Sequence, residues 1–255
     1  MEKSHQGLIT ALDLSPQEHV AVVGGGGKST LCFALAEALR LKGARVISTT
    51  TTKVRHEEAK TYPRLVLYPP GESDLEAVKK GLHEAGNVFV GQEFLKNGKV
   101  EGISSTAADD LFRMPGVDYV IIEADGAAGR PLKAPADHEP VIPRSVTCVI
   151  AVMGLEALGK PLGPDMVFRP ALFKALTGLK EGDILNPEGL VWAFDGKAGL
   201  FKNTPASARR IVFLNQLDIF PDDRAAQDMA RHLIETHRFI ERVVLGSFRK
   251  NEFIT

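Results

Sequence analysis

The chain has 255 residues, 44% hydrophobic and 25% charged, which is apolar material enough for one α/β domain over residues 1–255. Its 31 Lys and Arg nearly cancel 32 Asp and Glu, leaving a net charge of −1, so charge gives no reason to expect nucleic acid or a membrane surface as partner. No signal peptide is visible, and no apolar run approaches the roughly 20 residues of a bilayer span.

Residues 1–15, with Leu8, Ile9 and Leu12, predict a short amphipathic helix against a sheet. Residues 19–23 are apolar in four positions of five and predict a buried parallel strand. Gly24, Gly25, Gly26, Gly27, Lys28, Ser29 and Thr30 follow. A glycine run between an apolar strand and a helix can turn successive amides toward a phosphate chain, and the helix start adds its positive dipole. Lys28 would reach the outer phosphates and the Ser29 hydroxyl would help hold Mg²⁺. The pattern G-x-x-x-x-G-K-[ST] would put its first glycine where Val22 stands, so this is a shorter form, similar to the loop of Mur-type ligases. Leu31, Leu35, Ala38 and Leu39 recur at helical spacing, and Gly43 ends the helix. Cys32 in that helix and Cys148 in a later apolar strand read as reduced core thiols, with the cytoplasm as the expected compartment.

Residues 44–48 predict a second strand, closed by Thr49, Thr50, Thr51, Thr52 and Lys53 and then a loop to Pro63. These hydroxyls could touch Mg²⁺ or phosphate, Thr50 as the metal candidate, or simply finish a β-branched strand; Lys53 is a weaker candidate for phosphate or substrate charge. A strand at 65–68 ended by Pro69-Pro70, a helix marked by Leu75, Val78 and Leu82, and a strand at 87–90 come next. Asn97-Gly98 between Phe94-Leu95 and Val100-Glu101 predicts a hairpin. Residues 107–114 read as helix, 119–122 and 146–153 as strands, 170–179 and 187–194 as helical pieces, 211–214 as strand, 225–235 as helix and 242–245 as a last strand. Alternating strands and helices imply a mostly parallel sheet covered on both faces, with insertions around 87–104 and 154–205.

Glu123 and Asp125 stand two residues apart after an apolar strand, so their carboxylates face one side. Such an acid holds Mg²⁺ in P-loop proteins; either Asp125 or Glu123 could serve while the other orients a water, with Asp125 preferred for the metal, Lys28 the third catalytic candidate, and a solvated turn with Gly126 the plain alternative. The run Asn215, Gln216, Leu217, Asp218 is similar to the base-reading N-K-x-D motif of GTPases, with Gln216 in place of lysine. It could read guanine, read another base, or be a strand-end turn. Asp137, His138 and Glu139 lie in a proline-bounded loop with Lys133, a substrate or partner site or a structural loop. Adjacent residues point apart, which disfavours zinc. Arg130, Lys133 and Arg169 could each meet an anionic group.

These blocks together resemble the YqeC family of accessory proteins for selenium-dependent molybdenum hydroxylases, almost end to end. The resemblance rests on residues 23–30, Thr49 to Lys53, 123–127, 131–135, 138–143, Phe168-Arg169-Pro170 and 213–218. The family more often has Gly-Lys-Thr-Thr and Asn-Lys-x-Asp, so Ser29 and Gln216 depart from it. The resemblance implies a P-loop NTPase-like three-layer α/β sandwich with an inserted hairpin, binding GTP or ATP with Mg²⁺. It also implies a part in maturing a molybdenum hydroxylase. The alternative from the short loop is an ATP-dependent ligase or phosphoryl transferase, its small acceptor held near Lys133 and His138.

Overall fold

The computed structural model describes residues 5–68, 75–220 and 222–255; the expected strand end at Pro69-Pro70 lies outside them. α1 (Gln6–Leu12) buries Leu8, Ala11 and Leu12, and β1 (Glu18–Gly24) is buried along its whole length, as a strand with both faces covered must be. After the glycine loop, α2 (Lys28–Leu41) turns Leu31, Leu35, Ala38 and Leu39 inward and leads to β2 (Val46–Thr50). Where a loop is expected to Pro63, the chain instead forms β3 (Lys53–Arg55) and α3 (His56–Ala59). Elements this short carry too few positions to show a period.

β4 (Leu65–Leu67), α4 (Glu76–Ala85) and β5 (Asn87–Gly91) follow. β5 belongs to the central sheet, so the inserted hairpin starts after Gly91 and not at residue 87. That hairpin is β6 (Glu93–Phe94) and β7 (Lys99–Glu101), antiparallel about Asn97-Gly98, and β3 pairs on the other side of β7. Ser104 caps α5 (Ser105–Arg113) by accepting from the Ala107 amide. Then come β8 (Tyr119–Glu123), β9 (Leu132–Lys133), β10 (Cys148–Gly154) and β11 (Val167–Phe168), which pairs with β9. α6 (Pro170–Thr177) and α7 (Pro187–Leu190) precede β12 (Arg209–Asn215), α8 (Asp223–Thr236), β13 (Arg242–Ser247) and β14 (Glu252–Ile254).

The main sheet runs β14-β13-β12-β10-β1-β8-β2-β5-β4, parallel except for the β14 edge. Side chains alternate between two layers, as the pleat requires. Val20, Val22, Ile121, Ile150 and Phe213 pack toward α1 and α2. Ala21, Val23, Val120, Ile122 and Val212 pack toward residues of α4 to α8. The result is the expected three-layer α/β sandwich. β1 sits inside the sheet, between β10 and β8, so its carboxyl end opens into the crevice where parallel sheets collect ligands. Among the described residues, no helix is long and apolar enough to cross a membrane.

At the opposite end of β1, His19 is fully buried and stacks on Phe112 at 4.9 Å. The Ser145 hydroxyl donates to Asp109 (2.6 Å), so the His19 Nδ1–H donates to Ser145 (2.8 Å) and Nε2 is left without a partner. Burial outweighs the attraction of Asp109 and, helped by Arg113, brings its pKa down from 6.5 to about 4. A histidine depressed in the folded state stabilises fully above pH 6.5 and loses that contribution as pH falls to about 4. We expect about 3 kcal/mol of stability to go in this window, and His19→Gln to lack that part of the slope. Urea midpoints near pH 7 and near pH 4 check it; equal slopes in both proteins would refute it.

Candidate functional site

β1 ends against two neighbours, with Gly24 beside Val152 of β10 and Val22 beside Glu123 of β8. The loop lies flat on these strand ends. Gly24 (φ +98°) would place a Cβ 2.2 Å from the Val152 carbonyl, and Gly26 (φ +74°) 2.2 Å from the Gly154 nitrogen. Backbone cannot yield to either, so only glycine fits.

The amides of the loop divide into two sets. Gly24 N–H donates to the Asp125 carboxylate (3.1 Å), Gly25 N–H to Val152 O (3.0 Å) and Gly26 N–H to Arg130 O (3.0 Å). Those three fasten the loop to the sheet, which corrects the expectation that they face a ligand. The next four amides, on Gly27, Lys28, Ser29 and Thr30, have no acceptor among the described residues, and their residues line a cavity of about 910 Å³. They form the start of the 14-residue α2, whose dipole adds positive potential.

Lys28 is buried, its Nζ 2.7 Å from Gly24 O, 3.4 Å from Asp125 and 3.6 Å from Glu123. Burial disfavours its charge, but Asp125 and Glu123 prevail and hold its pKa above the ordinary lysine value. The two carboxylates, both at Lys28 as expected, differ in exposure. Asp125 has a fully buried side chain and is spent on Gly24 N–H, Lys28 and Lys133. Glu123 keeps 15% of its side chain open to the cavity and accepts from the Ser29 hydroxyl at 2.8 Å. Burial raises its pKa above the carboxylate norm against the pull of Lys28. A hydroxyl beside a carboxylate suits a hard cation whose other ligands are water and phosphate. Ser29 and Glu123 therefore fit Mg²⁺; Asp125 does not, and its metal assignment is corrected. Thr50 is also buried, its hydroxyl donating to Glu123 O at 2.8 Å, so it braces the strand end instead of facing a metal. Thr51, Thr52 and Lys53 do line the cavity.

Behind Asp125 runs a chain of buried charge. Lys133, 1% exposed, reaches Gly126 O at 2.7 Å, Glu139 at 2.8 Å and Asp125 at 3.0 Å. Glu139 is also held by Arg169, and although burial opposes its charge, Arg169 and Lys133 bring its pKa down to about 2. Lys133 is thus a structural cation and no contact for a substrate. Glu139, Arg169 and the exposed His138 still border the cavity, while Arg130 lies 3.9 Å from Asp165. The opposite wall comes from β3, α3 and β7, whose Arg55, Glu58, Lys99 and Glu101 the sequence reading passed over. The Asn97-Gly98 turn was the available signal. On the lining, Lys28, Lys53, Arg55, Lys99, Arg130 and Arg169 face Glu58, Glu101, Glu123 and Glu139, an excess of cations.

On the β12 side a second cavity, about 330 Å³, adjoins the loop through Gly26, Gly27 and Thr30. Asn215 Nδ2 donates to Gly26 O (2.8 Å), and the Ser247 hydroxyl fixes Asp218 (2.8 Å), which lines this cavity. Gln216, at φ +71°, turns to Glu156 (3.3 Å) with its Oε1 left unpaired. The structure thus brings Asn215 to the glycine loop across 189 residues of sequence, with Asp218 beside it on the same cavity.

A family model described as the YqeC protein matches residues 20–171, the span that holds the loop, Glu123, Asp125, Lys133, Glu139 and Arg169. The chain is also similar to the uncharacterized protein YqeC of Escherichia coli strain K12, 34% identical over 246 residues, covering 95% of this chain and 93% of that protein. By the family match and this relative together, the chain belongs to the YqeC family.

Proposed function

We propose that the protein is an accessory NTPase that binds a nucleoside triphosphate with Mg²⁺ at the carboxyl edge of the sheet. The observation that carries this is the set of four unpaired amides at 27–30, converging with Lys28 on one cation-rich cavity. The triphosphate would lie on these amides, with Lys28 exchanging Gly24 O for a phosphate oxygen. Ser29 and Glu123 would hold Mg²⁺, which when bound neutralises charge developing on the phosphates. Asp125 keeps the loop and Lys28 in place. The segments at 49–60 and 126–140 border the same cavity and would respond to cleavage. The client, a selenium-dependent molybdenum hydroxylase, rests on the family resemblance, and the cytoplasmic setting on the two free, buried cysteines.

Asp218 favours GTP over ATP in this reading. A carboxylate held by Ser247 can accept from guanine N1–H and N2–H together, and adenine offers no such pair. Calorimetric titration should give a preference for Mg-GTP over Mg-ATP of at least about 100-fold, and Asp218→Asn should cut it to about tenfold or less. Failure of the wild-type chain to bind either nucleotide ends the proposal; equal affinities would remove only the guanine assignment.

A further inference from the structure

A third cavity, of about 400 Å³, opens on the other side of Lys28 from Asn215 and Asp218, among α2, β3, α3 and β5. Its volume falls within the range of about 300–1,000 Å³ typical of small-molecule sites. Three rings wall it: Phe33 meets Tyr62 edge-on at 5.4 Å, and Tyr62 meets Phe89 at 5.1 Å with a 41° tilt. Phe33 and Tyr62 are only partly buried, so their surfaces face open space. Ser29, Thr30, Glu58 and Glu123 line both this cavity and the larger one, and Thr30 lines all three. The cavities therefore adjoin at the loop, which contributes to the lining of each. Glu58 stands at the junction, and among the described residues its carboxylate has no hydrogen bond or ion pair.

We propose that this ring-walled cavity is the acceptor site of a phosphoryl transfer and takes a small, flat-ringed alcohol. The inference rests on the nucleotide reading above and names what receives the terminal phosphoryl group. A flat ring gains offset or edge-on contact with Phe33, Tyr62 and Phe89, worth about 0.5–1.5 kcal/mol per pair beyond its burial. Its hydroxyl would then lie at the junction, between Glu58 and the phosphates. The hydroxyl oxygen attacks the terminal phosphorus, and the new O–P bond forms as the P–O bond to the β-phosphate breaks. The electron pair leaves with the nucleoside diphosphate. The hydroxyl proton passes to the Glu58 carboxylate and from there to water. This moves the acceptor away from Lys133 and His138, because Lys133 is buried in its ion pairs and His138 borders the cavity given to the triphosphate.

The test is to incubate the full chain with Mg-GTP and, separately, adenosine, uridine, pyridoxine or thiamine, and to follow phosphorylated product by mass spectrometry. At least one should gain a phosphoryl group. Glu58→Gln should lower its rate by at least about 100-fold. Phe33→Ala should raise the acceptor KM by about tenfold with little change in kcat. Since Phe33→Ala can loosen α2, Thr61→Trp at the exposed rim, which fills the cavity, serves as the second variant and should block transfer. If Mg-GTP binds in a Lys28-dependent manner and none of the four alcohols is phosphorylated, the acceptor site is wrong and the nucleotide reading stands. If no nucleotide binds, both fall.

Discussion

Lys28→Ala should weaken Mg-GTP binding by at least about 100-fold, or roughly 2.7 kcal/mol. Nζ sits within 2.7 Å of Gly24 O, at the mouth of the unpaired amides, and burial has already stripped it of water. A charge-assisted hydrogen bond from such a group contributes about 1.5–3 kcal/mol. The sign of the local potential also matters. With the ammonium gone, Glu123 and Asp125 would face an anionic ligand, so repulsion adds to the lost attraction. The fold should survive, because Asp125 keeps Lys133 at 3.0 Å and the Gly24 amide. Calorimetry on a variant that melts within a few degrees of wild type decides the point. Unchanged affinity in that folded variant would place the phosphates elsewhere.

The largest stability loss is expected from Lys133→Met, about 3–5 kcal/mol. The side chain is buried at the crossing of Asp125, Glu139 and Gly126 O, so truncating its charge leaves two buried carboxylates short of a cation. Lys28 and Arg169 still reach those carboxylates, which puts the value toward the lower end. Glu139 gives the effect a pH signature. Its folded pKa of about 2 lies below its ordinary 4.5, so its contribution is whole above pH 4.5 and disappears as pH falls through about 2. Removing Lys133 takes away one of the two cations holding that pKa down, so acid unfolding should begin at higher pH in the variant. Urea midpoints at neutral pH and along an acid series measure both effects. A variant as stable as wild type would mean that the buried ion pairs of Lys133 do not hold this part of the fold together.

Much of the architecture can be read from single segments. The run from β1 through the glycine loop into α2 combines an apolar strand, a cluster of glycines and a 3.6-residue stripe, all local signals. The same holds for β8, β10 and β12, long enough to be buried on both faces, and for the hairpin at Asn97-Gly98. β3, β9 and β11 escaped because each has two or three residues and is held by a partner distant in the chain, and β14, which folds back on β13, because three residues are too few to show a pattern. Pairing of that kind leaves no periodicity behind.

The site shows the same division. Sequence by itself determined that Gly24 to Thr30 join a buried strand to a helix, that Glu123 and Asp125 stand at the end of another strand, and that Asn215 to Asp218 close a third. Only the tertiary structure decided which acid is open. β8 stops at Glu123, so the alternation of a strand no longer governs Asp125, which turns under Gly24 and into contact with Lys133. It also decided that Lys133 is interior and that Arg55, Glu58, Phe33 and Tyr62 share walls with the loop. The physical reason is that periodicity records which face of its own element a side chain takes. Burial, charge pairing and access depend on what other elements bring to that face, and these come from strands and loops far away along the chain.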